Sequence, residues 1–394
     1  MTLLDGFYAF QHDDGYIAGE LNPQSGAEAV QPYSPDCAVP NLLAWAEWRY
    51  FRLTGDSKRI ESVFWPLLAY HRWRRANTSW PSGLYWTTET ASGLKNQPRV
   101  PEGRHHHQHW SWVDASSLAS MNCRLLESMA ILLGEAKHGE QLRAEHDALI
   151  SVINAELWND EFKFYQDAGP TSDYSKTKSI AAYWALHDSM LVPADRLTPF
   201  VQHLRDNWSF GTRVVLPSLS ADSDAFNSQT GNGWRGGVWP SLTYMVLCGL
   251  MNVKQYRLAH TLARLHVDSV AQVFGDTETL WQSYSPFEAR PGAPVEEDRS
   301  GLTASALIAM TIEYVVGVSY DQPLRQLTWH RYFDPQQPFG IRNYPLGNEG
   351  SVDLESADGV IRIRSELPFT LTVHTLDETV AIAVSPGASE ISLN

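Results

Sequence analysis

Paired amphipathic helices are the feature that most limits how this chain can fold. Up to about residue 320, apolar side chains recur at helical spacing, usually as a helix, a short turn and a return helix. Long polar loops rich in Gly and Trp separate the pairs. Because a single pair cannot bury its apolar face, we expect the pairs to stack in a ring or solenoid. The stretches are 40–56, 57–76, 112–136, 139–158, 175–191, 193–206, 237–251, 253–274 and 301–318.

The C-terminal tail has a different pattern. In 359–376 and 379–393, apolar and polar residues alternate with a period of two, and Gly and Pro interrupt the runs. Such alternation is typical of strands in a small antiparallel sheet. The sequence therefore predicts a helical domain over 1–320 and a small β module over 321–394 that covers it.

Charge and composition exclude several classes of function. The formal net charge is −15, whereas a surface that binds nucleic acid needs a basic footprint. No apolar run reaches the roughly 18 residues of a membrane-spanning helix, and the N-terminus lacks the pattern of a secretory signal. Cys37, Cys123 and Cys248 are far apart and lack metal-ligand spacing, which indicates reduced thiols in a cytoplasmic protein. We therefore expect no nucleic acid, membrane, metal or cofactor as a partner.

The long loops are the predicted location of a functional site. A closed ring of helix pairs would gather them at one end, where polar side chains can converge. The chain also has 15 Trp, which usually serve core packing, although some can stack on the apolar faces of sugars. The loops in which Gly, aromatic and polar residues cluster are 14–23, 87–101, 104–114, 230–240 and 277–301.

Loop 104–114 contains four histidines, which suggest a metal site. His105, His106, His107 and His109 lie on a loop rather than at i, i+4 on a helix, and neighbouring residues cannot all face one ion. Hydrogen-bonded or solvated histidines are therefore favoured over zinc, although His107 or His109 can reach a cleft as an acid/base. Asp114 is predicted either to cap the helix that follows or to take part in catalysis.

Loop 230–240 places an arginine between two tryptophans and among glycines. Glycine permits close approach of a ligand, Arg235 can bind hydroxyl groups, and Trp234 and Trp239 can stack on rings. The alternative is an arginine that pairs with a carboxylate to close a tight turn. The sequence favours neither reading.

Taken together, these segments resemble glycoside hydrolase family 63 and its trehalase-like and glucosylglycerate-hydrolase-like bacterial relatives. "SGLKNQPRV", "HQHWSWVDASS", "GNGWRGGVWPSLTYMVLCGL" and "LWQSYSP" occur in the order of the family, and the resemblance spans nearly the whole chain. It implies a mainly α fold, an (α/α)6 barrel, with a pocket at one end that takes a sugar or sugar-like small molecule. The residues that we expect to bind substrate are Asn96, Gln97, Arg99, Trp112, Trp234, Arg235, Trp239, Trp281 and Tyr284.

The resemblance also assigns the two groups that transfer protons in inverting hydrolysis. Lys95 stands where the family carries its acid, an Asp, and Gln282 stands where it carries its base, a Glu. A further departure is Asp298-Arg299, which replaces the Gly-Trp that precedes the last helix of the family. Because an amide has no useful basicity, the resemblance implies a glycosidase fold without its usual acid and base.

Three functions are compatible with these replacements. The first is a repurposed, non-hydrolytic enzyme in which a desolvated Lys95, helped by Gln282, Glu89 or a histidine, catalyses elimination, isomerisation or ring closure. The second is an inverting hydrolase with relocated carboxylates. The third is an inactive sugar-binding protein. The carboxylates open to the second function are Glu89, Asp114, Glu278, Glu288, Glu296, Glu297 and Asp298.

The start of the chain also departs from the family. Met1 lies almost on the first segment that matches, whereas relatives usually carry further helices upstream. We therefore expect an incomplete ring, a ring that a homodimer mate or another chain completes, or a chain whose N-terminal part was lost.

Overall fold

The fold is a ring of helical hairpins followed by two β-sheets. The computed structural model describes residues 2–22, 24–295, 300–332 and 338–392. The α-helices are α1 (Thr2–Ala9), α2 (Leu43–Thr54), α3 (Ser57–Asn77), α4 (Glu89–Ser92), α5 (Val113–Leu133), α6 (Ala136–Glu156), α7 (Ala194–Gln202), α8 (Pro240–Asn252), α9 (Tyr256–Thr277) and α10 (Gly301–Met310).

Local sequence signals set several helix boundaries. Gly55 ends α2 in the left-handed conformation, and its N–H donates to the Phe51 carbonyl. The Asp56 side chain then accepts from the Arg59 N–H and caps α3. This Gly-Asp junction turns α2 directly into α3, so the first predicted pair forms as expected.

One predicted helix adopts another geometry. The stretch 175–191 forms a 3₁₀ helix at Ile180–His187, with the Ser179 side chain accepting from the Ala181 N–H. Ile180, Tyr183 and Leu186 are all fully buried between α5 and α8. Because this segment is enclosed on several faces, tertiary packing rather than a one-sided apolar stripe fixes its conformation.

The inner helices contact one another in chain order. They run from α2 to α5, the 3₁₀ helix, α8 and α10, while α3, α6 and α9 pack outside their partners. A π-helical turn at Thr311–Val316 continues α10 and brings Glu313 back to α2. There Arg49 Nη2 lies 2.8 Å from Glu313 Oε1, which joins the last inner element to the first.

The β module contains two four-stranded sheets, of order β3-β4-β8-β9 and β10-β7-β6-β5. All pairs are antiparallel except β4 with β8, which is parallel and was not expected from the alternation pattern. A separate hairpin, β1 with β2, lies in the helical region. The strands are β1 (Trp158–Asn159), β2 (Phe164–Tyr165), β3 (Val318–Asp321), β4 (Gln326–His330), β5 (Phe339–Leu346), β6 (Gly350–Ala357), β7 (Val360–Ser365), β8 (Phe369–His374), β9 (Thr379–Val384) and β10 (Gly387–Ser392).

The module packs directly against the helical ring. Strand β3 contacts α2, and the Trp329 indole of β4 donates to the Val316 carbonyl at 3.0 Å. Arg52 of α2 also forms an ion pair with Asp321 of β3. Among the described residues, no helix is long and apolar enough to cross a membrane.

Candidate active site

Loops 87–101, 104–114, 230–240 and 277–301 adjoin one another at the end of the ring where α5, α8 and α10 begin. The side chain of Asn96 joins loop 87–101 to loop 230–240. Its Nδ2 donates to the Asn232 carbonyl at 2.8 Å, and its Oδ1 accepts from the Trp234 N–H at 2.9 Å. The Arg235 Nε donates to the Asn96 carbonyl at 3.0 Å. Asn96 therefore has a structural role in joining the two loops, and because it is only half-buried its contact with substrate remains a prediction.

The side chain of Gln97 also holds loop 87–101 against loop 230–240. It is fully buried, and its Nε2 donates to the Ser218 carbonyl at 2.7 Å and to the Trp234 carbonyl at 3.1 Å. A substrate cannot reach a side chain in this position. The predicted role of Gln97 in substrate binding is thus replaced by a structural one.

Arg99 forms the centre of a buried charge network. The side chain is 1% exposed and donates to Asp114 at 2.7 and 2.9 Å and to Asp167 at 2.7 and 2.8 Å. Its guanidinium lies 4.6 Å from the ring centre of Trp112, which is also fully buried. These bidentate pairs satisfy both carboxylates in a water-excluded place.

This network corrects three predictions. Arg99 and Trp112 are buried in the ligand-free protein and therefore pack in the interior, and Asp114 is buried and paired with Arg99, which is a structural role. Asp167, which the sequence analysis missed, accepts from the Val113 N–H at 2.9 Å and so caps α5. Burial, with the charge of Asp114, raises the pKa of Asp167, although the adjacent Arg99 acts to lower it.

Lys95 is presented at the surface of this fastened loop. Its side chain is exposed, and it forms no hydrogen bond or ion pair with any residue that the structure describes. The enclosed amine required by the first sequence hypothesis is therefore not observed. An exposed ammonium is suited to binding an anion and not to the chemistry of a desolvated amine.

Gln282 lies on loop 277–301, which is attached to loop 230–240. The Gly233 N–H donates to the Ala293 carbonyl at 3.2 Å, and the Gly292 N–H donates to the Ser283 carbonyl at 2.9 Å. Gln282 is half-buried, and its neighbour Trp281 donates from Nε1 to Thr277 Oγ1 at 3.0 Å. The loops that carry Lys95 and Gln282 therefore both adjoin loop 230–240.

Tyr284 belongs to the packing beneath the site. It is 1% exposed, and its backbone forms a β-bridge with Val238. The predicted contact between Tyr284 and substrate is therefore replaced by a structural role, because the ring is covered. Trp281 is half-buried, so a contact between Trp281 and substrate remains a prediction.

Trp234 and Trp239 stack on each other, with ring centres 3.8 Å apart and planes inclined by 11°. Trp239 Nε1 donates to the Gly233 carbonyl at 3.1 Å, which closes the turn. Arg235 points outward and is exposed, with no carboxylate partner among the described residues. The structure thus differs from the tight-turn alternative, in which Arg235 pairs with a carboxylate.

Glu89 has the most distinctive electrostatic surroundings of the predicted catalytic residues. It is half-buried at the start of α4, and its carboxylate forms no hydrogen bond with the described residues. Burial raises the pKa of Glu89, although the charges of Arg99, Arg104 and Arg235 act to lower it. A carboxyl with a raised pKa beside cationic groups is suited to donating and accepting a proton.

The histidines of loop 104–114 do not form a common ligand set. His105 pairs with Asp36, its Nδ1 lying 2.7 Å from the carboxylate. His107 is half-buried against Trp80, and burial followed by the neighbouring histidines lowers its pKa to about 4. It is therefore neutral at pH 7, and its Nδ1 accepts from the His109 N–H at 3.0 Å. An acid/base role for His107 or the exposed His109 remains a prediction.

The other candidate carboxylates are dispersed. Glu278 is exposed just after α9, and Glu288 is an exposed partner of Arg290. Asp298, a predicted catalytic residue, lies outside the described residues, as do Glu296 and Glu297.

The glycines of loop 230–240 are required for its shape. Gly231 has φ +78°, and a Cβ there would lie 2.2 Å from the Gly237 nitrogen. We expect Gly231→Ala to destabilise the protein by more than the roughly 1–3 kcal/mol of backbone strain alone, because the Gly237 backbone must also move. Gly83→Ala is the matched control, since Gly83 has φ +95° but open space around it. Urea unfolding compares the two, and equal losses would show that the contact with Gly237 is unimportant.

A cavity of about 460 Å³ lies near the opposite ends of the inner helices. Its lining includes Arg49, Cys248 and Glu313, which lie in the second half of α2, in the second half of α8 and in the π-helical turn. It is therefore separate from the loops that carry the predicted site.

A family model and two relatives in other organisms are similar to this chain. The family model of the mannosylglycerate hydrolase MGH1-like glycoside hydrolase domain matches residues 4–293. An uncharacterized protein of Borreliella burgdorferi is 23% identical over 341 residues, covering 84% of this chain and 70% of that protein. A probable mannosyl-oligosaccharide glucosidase of Schizosaccharomyces pombe is 25% identical over 291 residues. The match covers 70% of this chain and 34% of the yeast protein, so it extends over about a third of that protein.

Solved structures show the same fold. The GH63 mannosylglycerate hydrolase of Thermus thermophilus in complex with glucose has a TM-score of 0.61 and is 22% identical, covering 78% of this chain and 86% of that one. An alpha-L-rhamnosidase of Dictyoglumus thermophilum has a TM-score of 0.63 at 13% identity, covering 98% of this chain and 42% of that one. The predicted helical barrel with a C-terminal β module is confirmed.

Proposed function

Because this chain belongs to the family of mannosylglycerate hydrolase MGH1-like glycoside hydrolase domains, we propose that it acts on a sugar-like anionic molecule by a reaction other than inverting hydrolysis. The main support for the proposal is the exposed amine of Lys95 at the end of the ring where the loops meet. The acid loop is fastened by Asn96 and Gln97, yet it presents the exposed amine of Lys95 where the resemblance puts an acid.

The missing base is the second support. Inverting hydrolysis needs one carboxylic acid and one carboxylate on opposite sides of the scissile bond. Gln282 stands where the resemblance puts the carboxylate, and an amide cannot take a proton from water. Loss of such a group slows proton transfer by roughly 10²–10⁴-fold, so the inherited mechanism would be ineffective.

The charges at the loop end favour an anionic substrate. Lys95, Arg104 and Arg235 are exposed there, in a chain whose formal net charge is −15. Neither Lys95 nor Arg235 forms an ion pair with a described carboxylate. The Thermus relative has also been solved with D-glycerate, a small carboxylate. A sugar-like compound with a carboxylate or phosphate would match these cations.

Glu89 is the group that we assign to proton transfer. Burial keeps its pKa raised although several cations surround it. A carboxyl tuned in this way can remove a proton from carbon and return it elsewhere, as elimination, isomerisation or ring closure requires. In this assignment Lys95 and Arg235 bind and orient the anion.

The raised pKa of Glu89 also supports a second candidate, a glycoside hydrolase whose acid has moved from the Lys95 position to Glu89. The two candidates differ in their products. Hydrolysis splits the substrate and adds one water, isomerisation leaves its mass unchanged, and elimination expels a small molecule.

We expect a mass-spectrometric screen of anionic glycosides and sugar acids to identify a substrate that is converted without addition of water. Glu89→Gln should lower kcat by roughly 10²–10⁴-fold because the amide cannot exchange a proton. Lys95→Ala should mainly raise KM, since the amine binds charge. Glu61→Gln, at an exposed carboxylate of α3, is the control and should leave turnover unchanged.

Cleavage with uptake of water, lost in Glu89→Gln, would instead establish the relocated hydrolase. Binding without turnover in the wild type would overturn both enzymatic candidates and leave a sugar-binding protein. Turnover unaffected by Glu89→Gln would exclude the assigned role of this residue.

A further inference from the structure

Three side chains from three different helices form a compact cluster away from the loops. They are His71 of α3, Cys123 of α5 and Glu145 of α6. One ligand atom from each residue lies within 4.8 Å of the others. His71 and Cys123 are buried, with exposures of 3% and 0%, and the Glu145 side chain is 14% exposed.

We propose that His71, Cys123 and Glu145 form a site for a divalent transition metal of the zinc class. Imidazole nitrogen, thiolate sulfur and carboxylate oxygen are the ligand types that zinc takes in proteins. Three protein ligands with a free fourth position is the arrangement of zinc sites that stay open to a further ligand.

The distances fit a tetrahedral ion. Bonds of about 2.0–2.3 Å at tetrahedral angles put ligand atoms roughly 3.3–3.6 Å apart. The His71 Nε2 lies 3.0 Å from Glu145 Oε1 and 3.7 Å from Cys123 Sγ. Both distances are within a few tenths of an ångström of ligand spacing, and the three ligand atoms all lie within 4.8 Å of one another.

A second interaction orients the carboxylate. Arg75, one turn beyond His71 on α3, donates from Nη1 to Glu145 Oε2 at 2.6 Å. The other oxygen, Oε1, is the one that faces His71. Such outer partners hold metal-binding carboxylates in place, and Arg75 also offsets part of the charge that two anionic ligands add.

The cluster adjoins an open cavity. A space of about 530 Å³ between α3 and α6 is lined by His71 and Glu145 together with Arg72, Arg75 and His138. An ion bound at the cluster can therefore exchange with solvent and hold a water molecule as its fourth ligand. This access is what a metal needs to enter a site formed by otherwise buried side chains.

Metal binding at this place releases a proton. A cysteine thiol with no metal bound ordinarily carries its proton at neutral pH, since its usual pKa is about 8.5. The sulfur then bonds the ion as a thiolate, the S–H proton leaves to water, and no electron is transferred. The alternative is a purely hydrogen-bonded cluster in which the thiol and the imidazole bond Glu145 and no metal enters.

Cobalt(II) distinguishes the two alternatives, because a cobalt–thiolate bond gives a near-ultraviolet charge-transfer absorption that histidine and carboxylate ligands lack. We expect the full chain, stripped by chelator, to take up one Co²⁺ with this absorption and to exchange it for Zn²⁺. Cys123→Ser should abolish the absorption and weaken metal binding by more than about 100-fold, beyond the usual effect of losing an outer partner. Glu145→Gln should weaken binding while the absorption remains.

The double variant Cys37→Ser/Cys248→Ser is the matched control, because it leaves Cys123 as the sole cysteine. It should retain the absorption, and it decides the question even if Cys123→Ser fails to fold. The histidines of loop 104–114 cannot imitate the signal, since that loop contains no cysteine. The proposal is overturned if the wild type shows no charge-transfer absorption, or if the double variant loses it.

Discussion

Replacing Arg99 by Met is expected to lower the free energy of unfolding by roughly 3–5 kcal/mol, the usual loss when one partner of a buried ion network is removed. Two buried carboxylates, Asp114 and Asp167, would then remain without their bidentate partner. The Asp167 cap on the Val113 N–H would also be perturbed. Urea unfolding followed by Trp fluorescence measures the change.

Arg235→Met is the matched control for this prediction. Arg235 lies at the same loop end, but it is exposed and makes a single hydrogen bond to the Asn96 carbonyl. Its replacement should cost no more than about 1 kcal/mol. Equal losses for the two variants would show that the Arg99 network adds nothing beyond an ordinary surface contact.

The second large effect is a loss of folding stability as the pH falls. Burial lowers the pKa of both His260 and His266 to about 4, whereas an unperturbed histidine titrates at 6.5. The folded state therefore keeps both neutral between pH 6.5 and 4, while the unfolded chain takes up protons. The contribution of these neutral histidines to the free energy of unfolding is fully present above pH 6.5. It should fall by roughly 2 kcal/mol per histidine between pH 7 and 5.

One histidine acts in the opposite direction. Burial opposes the charge on His146, but the hydrogen bond and charge of Asp188 outweigh it, so the pKa of His146 is raised. The contribution of His146 to the free energy of unfolding is fully present below pH 6.5. It is lost as the pH rises through the pKa that His146 has in the folded state. Because this effect falls at higher pH, it does not offset the loss from His260 and His266 below pH 6.5.

Unfolding in urea at pH 7, 6 and 5 tests the effect of acid. His266→Gln removes one titrating group and should flatten the dependence on pH, even if it lowers stability overall. His105→Gln, at an exposed histidine, controls for the loss of an imidazole as such. A wild-type stability that is constant from pH 7 to 5 would contradict the expected neutral histidines.

Much of the fold follows from the sequence because the relevant forces act locally. The apolar periodicity predicts α3, α5, α6 and α9, and a glycine ends α5 at Gly134. The period-two alternation predicts the strands of the β module. The parallel pairing of β4 with β8 escaped prediction, because it joins segments more than 40 residues apart and leaves no local pattern.

The sequence indicated which loops hold the candidate site, but not the role of each residue in them. Lys95 and Arg235 are exposed and Glu89 is half-buried, so their contact with a ligand remains a prediction. Gln97, Arg99 and Trp112 were assigned to substrate because polar and aromatic residues between glycines have the same composition whether they bind substrate or fasten loops. Asp167 carried no signal, since its partner Arg99 is 68 residues away in the chain.

The sequence by itself determined the helical hairpins, the β tail and the family, whereas the replacement of the acid and base at Lys95 and Gln282 remains a prediction. Residue type and spacing along the chain are sufficient for these features. Only the tertiary structure decided that Arg99 is buried between two carboxylates, that Lys95 is exposed, and that His71, Cys123 and Glu145 meet. Burial and charge pairing depend on which distant segments come together, and the free energy of a polar side chain depends on those neighbours more than on its position in the sequence.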